Sequence, residues 1–522
     1  MTSVGVSRSC LVNLVYNRNI RMCSTNNTYE VGRKFMEAVR KLNLLQSNKS
    51  TIDQIRRDIR TGLKCTNILD MENYLARTGI SVTKLNELSV IHVAGTKGKG
   101  STSAMCESIL RHHGFRTGFY SSPHLVAVRE RIRLNGRVIA EDKFAQYFHQ
   151  VYDMLDSTQE FQSDMPKYFA FLTVLAYNVF LKEKVDVAIV EVGIGGVVDY
   201  TNVLRQVPVV GITALGLDHT SILGNTLPEI AAAKAGIMKP GCEAYTVHQP
   251  PAAMEVLEKV ADSLKCPLNV VPKYKAYTFP NTLKHLPVDL EAYETNASLA
   301  IQLAHAWMRI TNRTHRNTSL KHQVVKDQNG VHHIGGVKNG IDTAIVRTVS
   351  SETMEGLQAC RWPGRYHVVQ AEYAKFYLDG AHTKESMEIC AQWFRDNNNG
   401  LQDKILIFSA TGDRNIEVLL QPLHSVGFKE VYFVIPSAHK HTTQKNDNYS
   451  KVEQDELLSR CGNNLTIWQQ FDTSAKLTVM ECVSDALIAI KKKEQGSSSV
   501  LVTGSLHLVG AALSILDPNL ST

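Results

Sequence analysis

The stretch Val90 to Thr102, V-I-H-V-A-G-T-K-G-K-G-S-T, constrains the fold of this chain more than any other segment. A short apolar run (Val90, Ile91, Val93) leads into a glycine-rich turn and then into a helix-compatible segment, Ser101 to Arg111. Strand, glycine turn and helix start together cradle a phosphate. Backbone N–H groups and the positive end of the helix dipole point at the anion, and Lys99 adds a full charge. The spacing departs from the standard nucleotide loop, G-x-x-x-x-G-K-[ST], because Gly98-Lys99 is followed by Gly100. The hydroxyl that normally follows the lysine and binds metal is missing. If Mg·ATP binds here, that hydroxyl comes from Ser101 or from another loop.

The same strand-then-helix rhythm recurs. Val185–Val192 (V-D-V-A-I-V-E-V) follows the helical Tyr168–Leu181, and Val207–Thr213 precedes the helical Leu227–Ala235. Such alternation predicts an α/β fold, a parallel-rich sheet covered by helices on both faces. Ligands then sit beyond the carboxyl ends of the strands, so the loops after Val93, Val192 and Thr213 carry the site. Upstream, Tyr29 to Ile80 reads as amphipathic helix through Phe35, Val39, Leu42, Leu69, Tyr74 and Leu75.

A chain of 522 residues is too long for one core. The polar Thr311–Gly340 reads as a surface insertion, and Trp362-Pro363-Gly364-Arg365 as a turn. A second series of candidate strands follows at Tyr377-Leu378, Ile405–Phe408, Val431–Ile435 and Val500–Val502. The division falls near residue 360. It leaves residues 30–360 as an ATP-binding domain and 361–522 as a smaller Rossmann-like α/β domain. His439–Lys451 reads as a solvated loop.

Net charge is +7, with Lys and Arg dispersed along the chain. That argues against nucleic acid as a partner, and a site for polyanionic small molecules explains the bias equally well. Ten scattered cysteines without a C-x-x-C pair point to a reducing compartment and inert thiols. No apolar run approaches the roughly 18 residues needed to span a bilayer. Residues 1–29 lack Asp and Glu but contain Arg8, Arg18 and Arg21, the composition of a mitochondrial transit segment; a plain disordered tail is the alternative. Initiation at Met22 would give a cytoplasmic product lacking most of it.

Several residues suit chemistry. Glu191 ends a strand before V-G-I-G-G and is placed to hold Mg²⁺; a polar strand terminus is the ordinary alternative. Asp218-His219 offers a second carboxylate and an imidazole after Thr213. Lys234, among small residues in A-A-A-K-A-G-I, either reaches solvent or lies near metal, where CO₂ would convert it to an anionic carbamate. Ser121-Ser122-Pro123-His124 precedes the basic Arg129-Glu130-Arg131-Ile132-Arg133 and can supply the missing hydroxyl; the basic run alone reads as a solvated strand face. Asp379-Gly380-Ala381-His382 follows another strand.

In order along the chain, G-T-K-G-K-G-S-T, S-S-P-H-L with R-E-R-I-R, Y-F-x-F-L-T, E-V-G-I-G-G, D-H-T, K-A-G-I, W-P-G-R, D-G-A-H and V-L-V-T-G-S-L-H-L-V-G resemble the folylpolyglutamate synthase family, from about residue 30 to 515. That family is related to the Mur ligases and shares their two-domain core. The resemblance implies a phosphate loop of Gly95, Thr96, Lys97, Gly98, Lys99, Gly100 and Ser101, with Lys99 on the β- and γ-phosphates and no particular role for Lys97. It implies Ser122 and Glu191 as ligands of one Mg²⁺, and His219 with carbamylated Lys234 as ligands of a second. Asn296, Arg365, Asp379 and His382 match positions that contact ATP, and Tyr168 and Phe169 a folate pocket. A monovalent cation such as K⁺ belongs to the same pattern.

The implied reaction joins L-glutamate to the γ-carboxylate of a reduced folate or folyl-polyglutamate through an acyl phosphate. Lys99, Lys234, Asp379 and His382 form its catalytic core. The nearest alternative is dihydrofolate synthase, which adds the first glutamate to dihydropteroate. A nucleotide switch without ligation is a third reading. A monomer is expected, since no long apolar seam is present.

Overall fold

The computed structural model describes residues 30–46, 66–162, 164–280, 286–312, 345–398, 403–410, 414–440, 447, 454–493 and 498–520. The basic leader, nearly all of the 311–340 insertion and most of the 439–451 loop lie outside the described residues.

The first eight strands are β1 (Val90–Ala94), β2 (Thr117–Tyr120), β3 (Ile132–Leu134), β4 (Arg137–Val138), β5 (Val187–Glu191), β6 (Val209–Ile212), β7 (Glu243–Thr246) and β8 (Leu268–Val270). They form one sheet in the order β4-β3-β2-β5-β1-β6-β7-β8. From β2 to β8 the pairings are parallel, and β3 and β4 extend the sheet antiparallel at one edge. Every residue of β1 is buried, as a strand covered on both faces requires. Val90 and Ala94 pack with Phe171 and Leu175 of the helix Tyr168–Lys182. Ile91 and Val93 pack with Ile109 of the helix Lys99–His112 and with Leu303 and Trp307 of the helix Glu291–Ile310.

The remaining strands are β9 (His367–Gln370), β10 (Ala374–Leu378), β11 (Lys404–Phe408), β12 (Glu430–Val434), β13 (Lys476–Met480) and β14 (Ser498–Thr503). They build a six-stranded sheet of order β13-β12-β11-β14-β10-β9, antiparallel only at β9. Helices Lys384–Asn397 and Gln454–Gln469 cover one face, Val483–Lys491 and Leu506–Leu516 the other. The chain is therefore α/β with two sheets, as the alternation predicts.

The helix Ser351–Ala359 still packs on the first sheet's layer. A Cβ on its Gly356 would lie 2.7 Å from the Ile109 Cα, so the absent side chain lets the two helices touch backbone to backbone. One expectation is corrected. The basic run is not a solvated strand face: Val128–Arg131 is a 3-10 turn with Glu130 and Arg131 buried. Glu130 accepts N–H bonds from Leu125, Val126 and Ala127, and Arg131 donates to His124 Nδ1 at 3.0 Å. Side chains that close a turn and pair inside it have no need of solvent.

Candidate active site

β1 delivers the chain to the middle of its sheet, and the next residues curl around a notch. Gly95 and Gly98 have φ of +146° and +86°, conformations that favour glycine. A Cβ at Gly95 would lie 1.8 Å from the Thr213 hydroxyl oxygen, and one at Gly98 2.1 Å from Asn296 Oδ1. The loop is held by the N–H groups of Thr96 and Lys97, which donate to Ala214 O, and by Lys99 Nζ, which donates to Gly95 O at 3.2 Å. The helix Lys99–His112 then starts with Gly98 as its cap, with Ser101 in its first turn, so its N–H groups open onto the notch. Thr102 Oγ1 donates to Asn296 Oδ1 at 3.4 Å, which ties the helix Glu291–Ile310 to the loop. The buried Thr213 hydroxyl beside Gly95 has no hydrogen-bond partner among the described residues.

Two neighbouring strand ends supply the next layer. Glu191, at the end of β5, is buried and accepts from the Ser122 N–H at 3.2 Å. Burial raises its pKa, against the opposing influence of Lys99, the Ser122 N–H, Arg365 and Arg131. Among the described residues no Lys or Arg comes within ion-pair distance of it. A buried carboxylate facing cations but paired with none, next to a serine, is a hard-oxygen donor set suited to Mg²⁺. Lys234 is also buried, its Nζ donating to Gly95 O at 2.8 Å. Burial, then the charge of Lys99, lowers its pKa to about 7, so the neutral amine that CO₂ addition needs is accessible near neutrality. His219 follows β6 in the left-handed region at φ +51°, a strained conformation for a non-glycine residue. Burial lowers its pKa, helped by Lys99 and Lys234 and opposed by Asp218.

The second sheet closes over these groups. Asp379, beyond the end of β10, is buried and accepts from the Tyr366 N–H at 3.0 Å. Burial raises its pKa, and Arg365 is the foremost influence holding it down. His382 Nδ1 bonds Gly380 O at 2.8 Å, and its Nε2 lies 3.7 Å from Asp218 Oδ2 of the first sheet. Burial would raise the Asp218 pKa, but the His382 bond and the His219 and His382 charges hold it well below the usual carboxylate range. Lys97 crosses the same gap to Glu385, Nζ to Oε2 2.6 Å. The residue without an assigned role thus joins the phosphate loop to the start of the helix Lys384–Asn397.

Tyr168 and Phe169 begin their helix beside this layer. Phe169 packs over Gly193 in the loop after β5, where a Cβ would be 2.6 Å from its ring, and the Arg131 guanidinium lies 5.4 Å from the Tyr168 ring centre. Arg133 and Trp362 also line the cavity that contains Ser122, Glu191 and Arg365. Neither belongs to the site as read from sequence, because their contact spans more than two hundred residues and no local pattern announces it.

Comparisons with known proteins agree with this arrangement. Residues 365–515 match the family model described as dihydrofolate synthetase, C-terminal domain. The chain is 37% identical to the mitochondrial folylpolyglutamate synthase of Homo sapiens, covering 94% of this chain and 93% of that one. It is 35% identical to folylpolyglutamate synthase of Saccharomyces cerevisiae strain FostersO, covering 93% and 88%. Among solved structures, folylpolyglutamate synthase of Mycobacterium tuberculosis complexed with ADP and AMPPCP superposes with a TM-score of 0.64 at 22% identity, covering 87% of this chain and 95% of that chain; the likeness bears on the fold.

Proposed function

The chain belongs to the folylpolyglutamate synthase family, and from that premise we propose how its cleft lengthens the glutamate tail of reduced folates. It is an ATP-dependent ligase of folate metabolism. The observation that carries the mechanism is the cavity in which Gly100 of the phosphate loop, Ser122 and Glu191 of the first sheet and Arg365 of the second come together, with Lys99 and Arg365 both lowering the basicity of Glu191. Phosphoryl transfer from ATP to a carboxylate brings two anions together, and such flanking cations offset their repulsion. The terminal γ-carboxylate of tetrahydrofolate or a folyl-polyglutamate attacks the γ-phosphorus and ADP leaves. The amine of L-glutamate then displaces phosphate from the acyl phosphate, giving an amide.

Lys99 holds the β- and γ-phosphates against the loop Gly95–Ser101, with Lys97 at its outer edge. Asn296, Arg365, Asp379 and His382 hold the nucleotide from the far side. Tyr168 and Phe169 hold the folate. Ser122 and Glu191 would bind one Mg²⁺ and His219 and Lys234 a second, supplying charge neutralisation between the γ-phosphate and the folate carboxylate. For that, the Lys234 amine adds to CO₂ and releases a proton, becoming a carbamate; the depressed basicity of this lysine supports the role. K⁺ is the monovalent ion of the same scheme. Contacts across the gap keep water from the acyl phosphate.

Mitochondrial relatives support a mitochondrial location. We further read residues 1–29 as the transit segment, Met22 as a start for a cytoplasmic form, 30–360 and 361–522 as the two domains, and the protein as a monomer. The test is ADP release by the purified protein with Mg·ATP and tetrahydrofolate, with and without L-glutamate, with the pterin product weighed. Glutamate-dependent turnover with stepwise glutamyl mass increments is expected; turnover indifferent to glutamate would overturn the proposal. The match to dihydrofolate synthetase over 365–515 favours one second reading. Under it, dihydropteroate replaces tetrahydrofolate as acceptor and one increment is added.

A further inference from the structure

Gly100 stands where the standard nucleotide loop carries Ser or Thr. A Cβ there would lie 2.9 Å from Trp362 Cζ2 and 3.2 Å from its Nε1. The indole has little room to move aside. Phe119 meets it edge-on with centroids 5.4 Å apart, and the Arg133 guanidinium lies 4.9 Å from its ring centre. Arg133 is itself held between Trp362 and Phe119, and its buried Nε has no hydrogen-bond partner among the described residues. The ring faces, together with the charges of the nearby Glu130 and Glu107, hold this cation there.

Three residues on from Trp362 comes Arg365. Pro363 fixes φ, Gly364 turns the chain at φ +75°, and the Gly380 N–H donates to Gly364 O at 3.3 Å. The segment is thus pinned at both ends, to the first turn of the phosphate-loop helix through the indole and to the second sheet through Gly364.

We propose that Trp362 is a positioning residue for ligation: its indole occupies the notch left by Gly100 and thereby sets Arg365 against the phosphate loop. The loop has exchanged a metal-binding hydroxyl for a docking notch. Movement of the loop on nucleotide binding passes through this ring to the second sheet. The inference rests on the ligase reading of the site, and its test separates the two.

Because Lys99 and the loop remain intact while Arg365 loses its placement, Trp362→Leu should lower kcat about a hundredfold and raise KM for ATP only severalfold. Gly100→Ser should also lose turnover, and combining it with Trp362→Leu should cost less than the two losses multiplied, since the clash is gone. A second readout is independent of ligation. The other tryptophans, Trp307, Trp393 and Trp468, are buried in the cores, so the change in intrinsic fluorescence on adding Mg·ATP without folate or glutamate should disappear in Trp362→Phe. Wild-type kcat in Trp362→Leu, multiplicative losses in the double variant, or a surviving fluorescence change in Trp362→Phe would overturn the proposal. If the wild type fails to ligate glutamate yet loses the fluorescence change in Trp362→Phe, the docking stands and the ligase reading falls.

Discussion

Lys234 sets the sharpest demand at the scale of single residues, because a buried amine with a pKa near 7 is held there against its own solvation. Between that value and its ordinary 10.5, the unfolded chain binds a proton that the folded chain does not. Stability should therefore rise with pH across this window, by on the order of a few kcal/mol. In bicarbonate-free buffer, Lys234→Met should be at least as stable as wild type at pH 7, with its advantage shrinking toward pH 10. Urea melts at several pH values check this, and a constant difference would contradict it. The same variant should be inactive, and bicarbonate should not rescue it. Lys99→Ala and Glu191→Ala should each lower turnover by about a hundredfold or more with circular dichroism unchanged, because Lys99 edges the loop and Glu191 is a buried charge with no ion partner to strand. That these residues gather around one loop was legible in the sequence, because each is a charged group set beside a glycine or small-residue turn at a strand or helix end. Arg131 and Arg133 were legible only as a charge run, since what buries them arrives from His124, Phe119 and Trp362.

Among the elements, legibility followed apolar runs rather than burial alone, since β2 (T-G-F-Y) and β7 (E-A-Y-T) are fully buried yet carry no such run. β1, β5, β6, β11 and β14 are apolar and central, and each stands out as a run in the sequence. β4 has two residues, β13 interleaves Leu477, Val479 and Met480 with Lys476 and Thr478 and is partly exposed throughout, and β9 alternates buried with exposed positions, so these flanking strands gave no such signal. Their place is set by pairing with neighbours, which is tertiary information. Helix packing hides in the same way. Gly356 looks like a mere weak point in a helical segment, yet it permits backbone-to-backbone contact with the phosphate-loop helix. Gly356→Ala should stabilise an isolated helix slightly. Here the added methyl meets backbone rather than a flexible side chain, so we expect a loss of roughly 1–3 kcal/mol in denaturant melts. No loss would mean that the two helices separate without cost.

At the scale of the whole molecule, the two sheets meet through side chains that differ greatly in exposure, and this decides which contacts tune closure and which build the site. Asp218 with His382 is half-buried, and under the proposed mechanism His382 contacts the nucleotide. Lys97 with Glu385 is short, but Glu385 is 69% exposed, so the pair contributes little to folding and is screened by salt. Because it bridges the phosphate loop to the second sheet, we expect its small energy to bear on closure of the cleft rather than on folding. Glu385→Gln should leave the melting temperature nearly unchanged while reducing turnover severalfold at low ionic strength, where the wild-type pair is strongest. Raising salt should then slow the wild type toward the variant, while the variant, lacking the pair, responds only through screening of the substrates' own charges. Parallel salt titrations of kcat for the two proteins measure this difference. Curves that keep a constant ratio would show that the bridge does not bias closure, and would leave the positioning of the second sheet to the indole at Gly100 and the buried carboxylates.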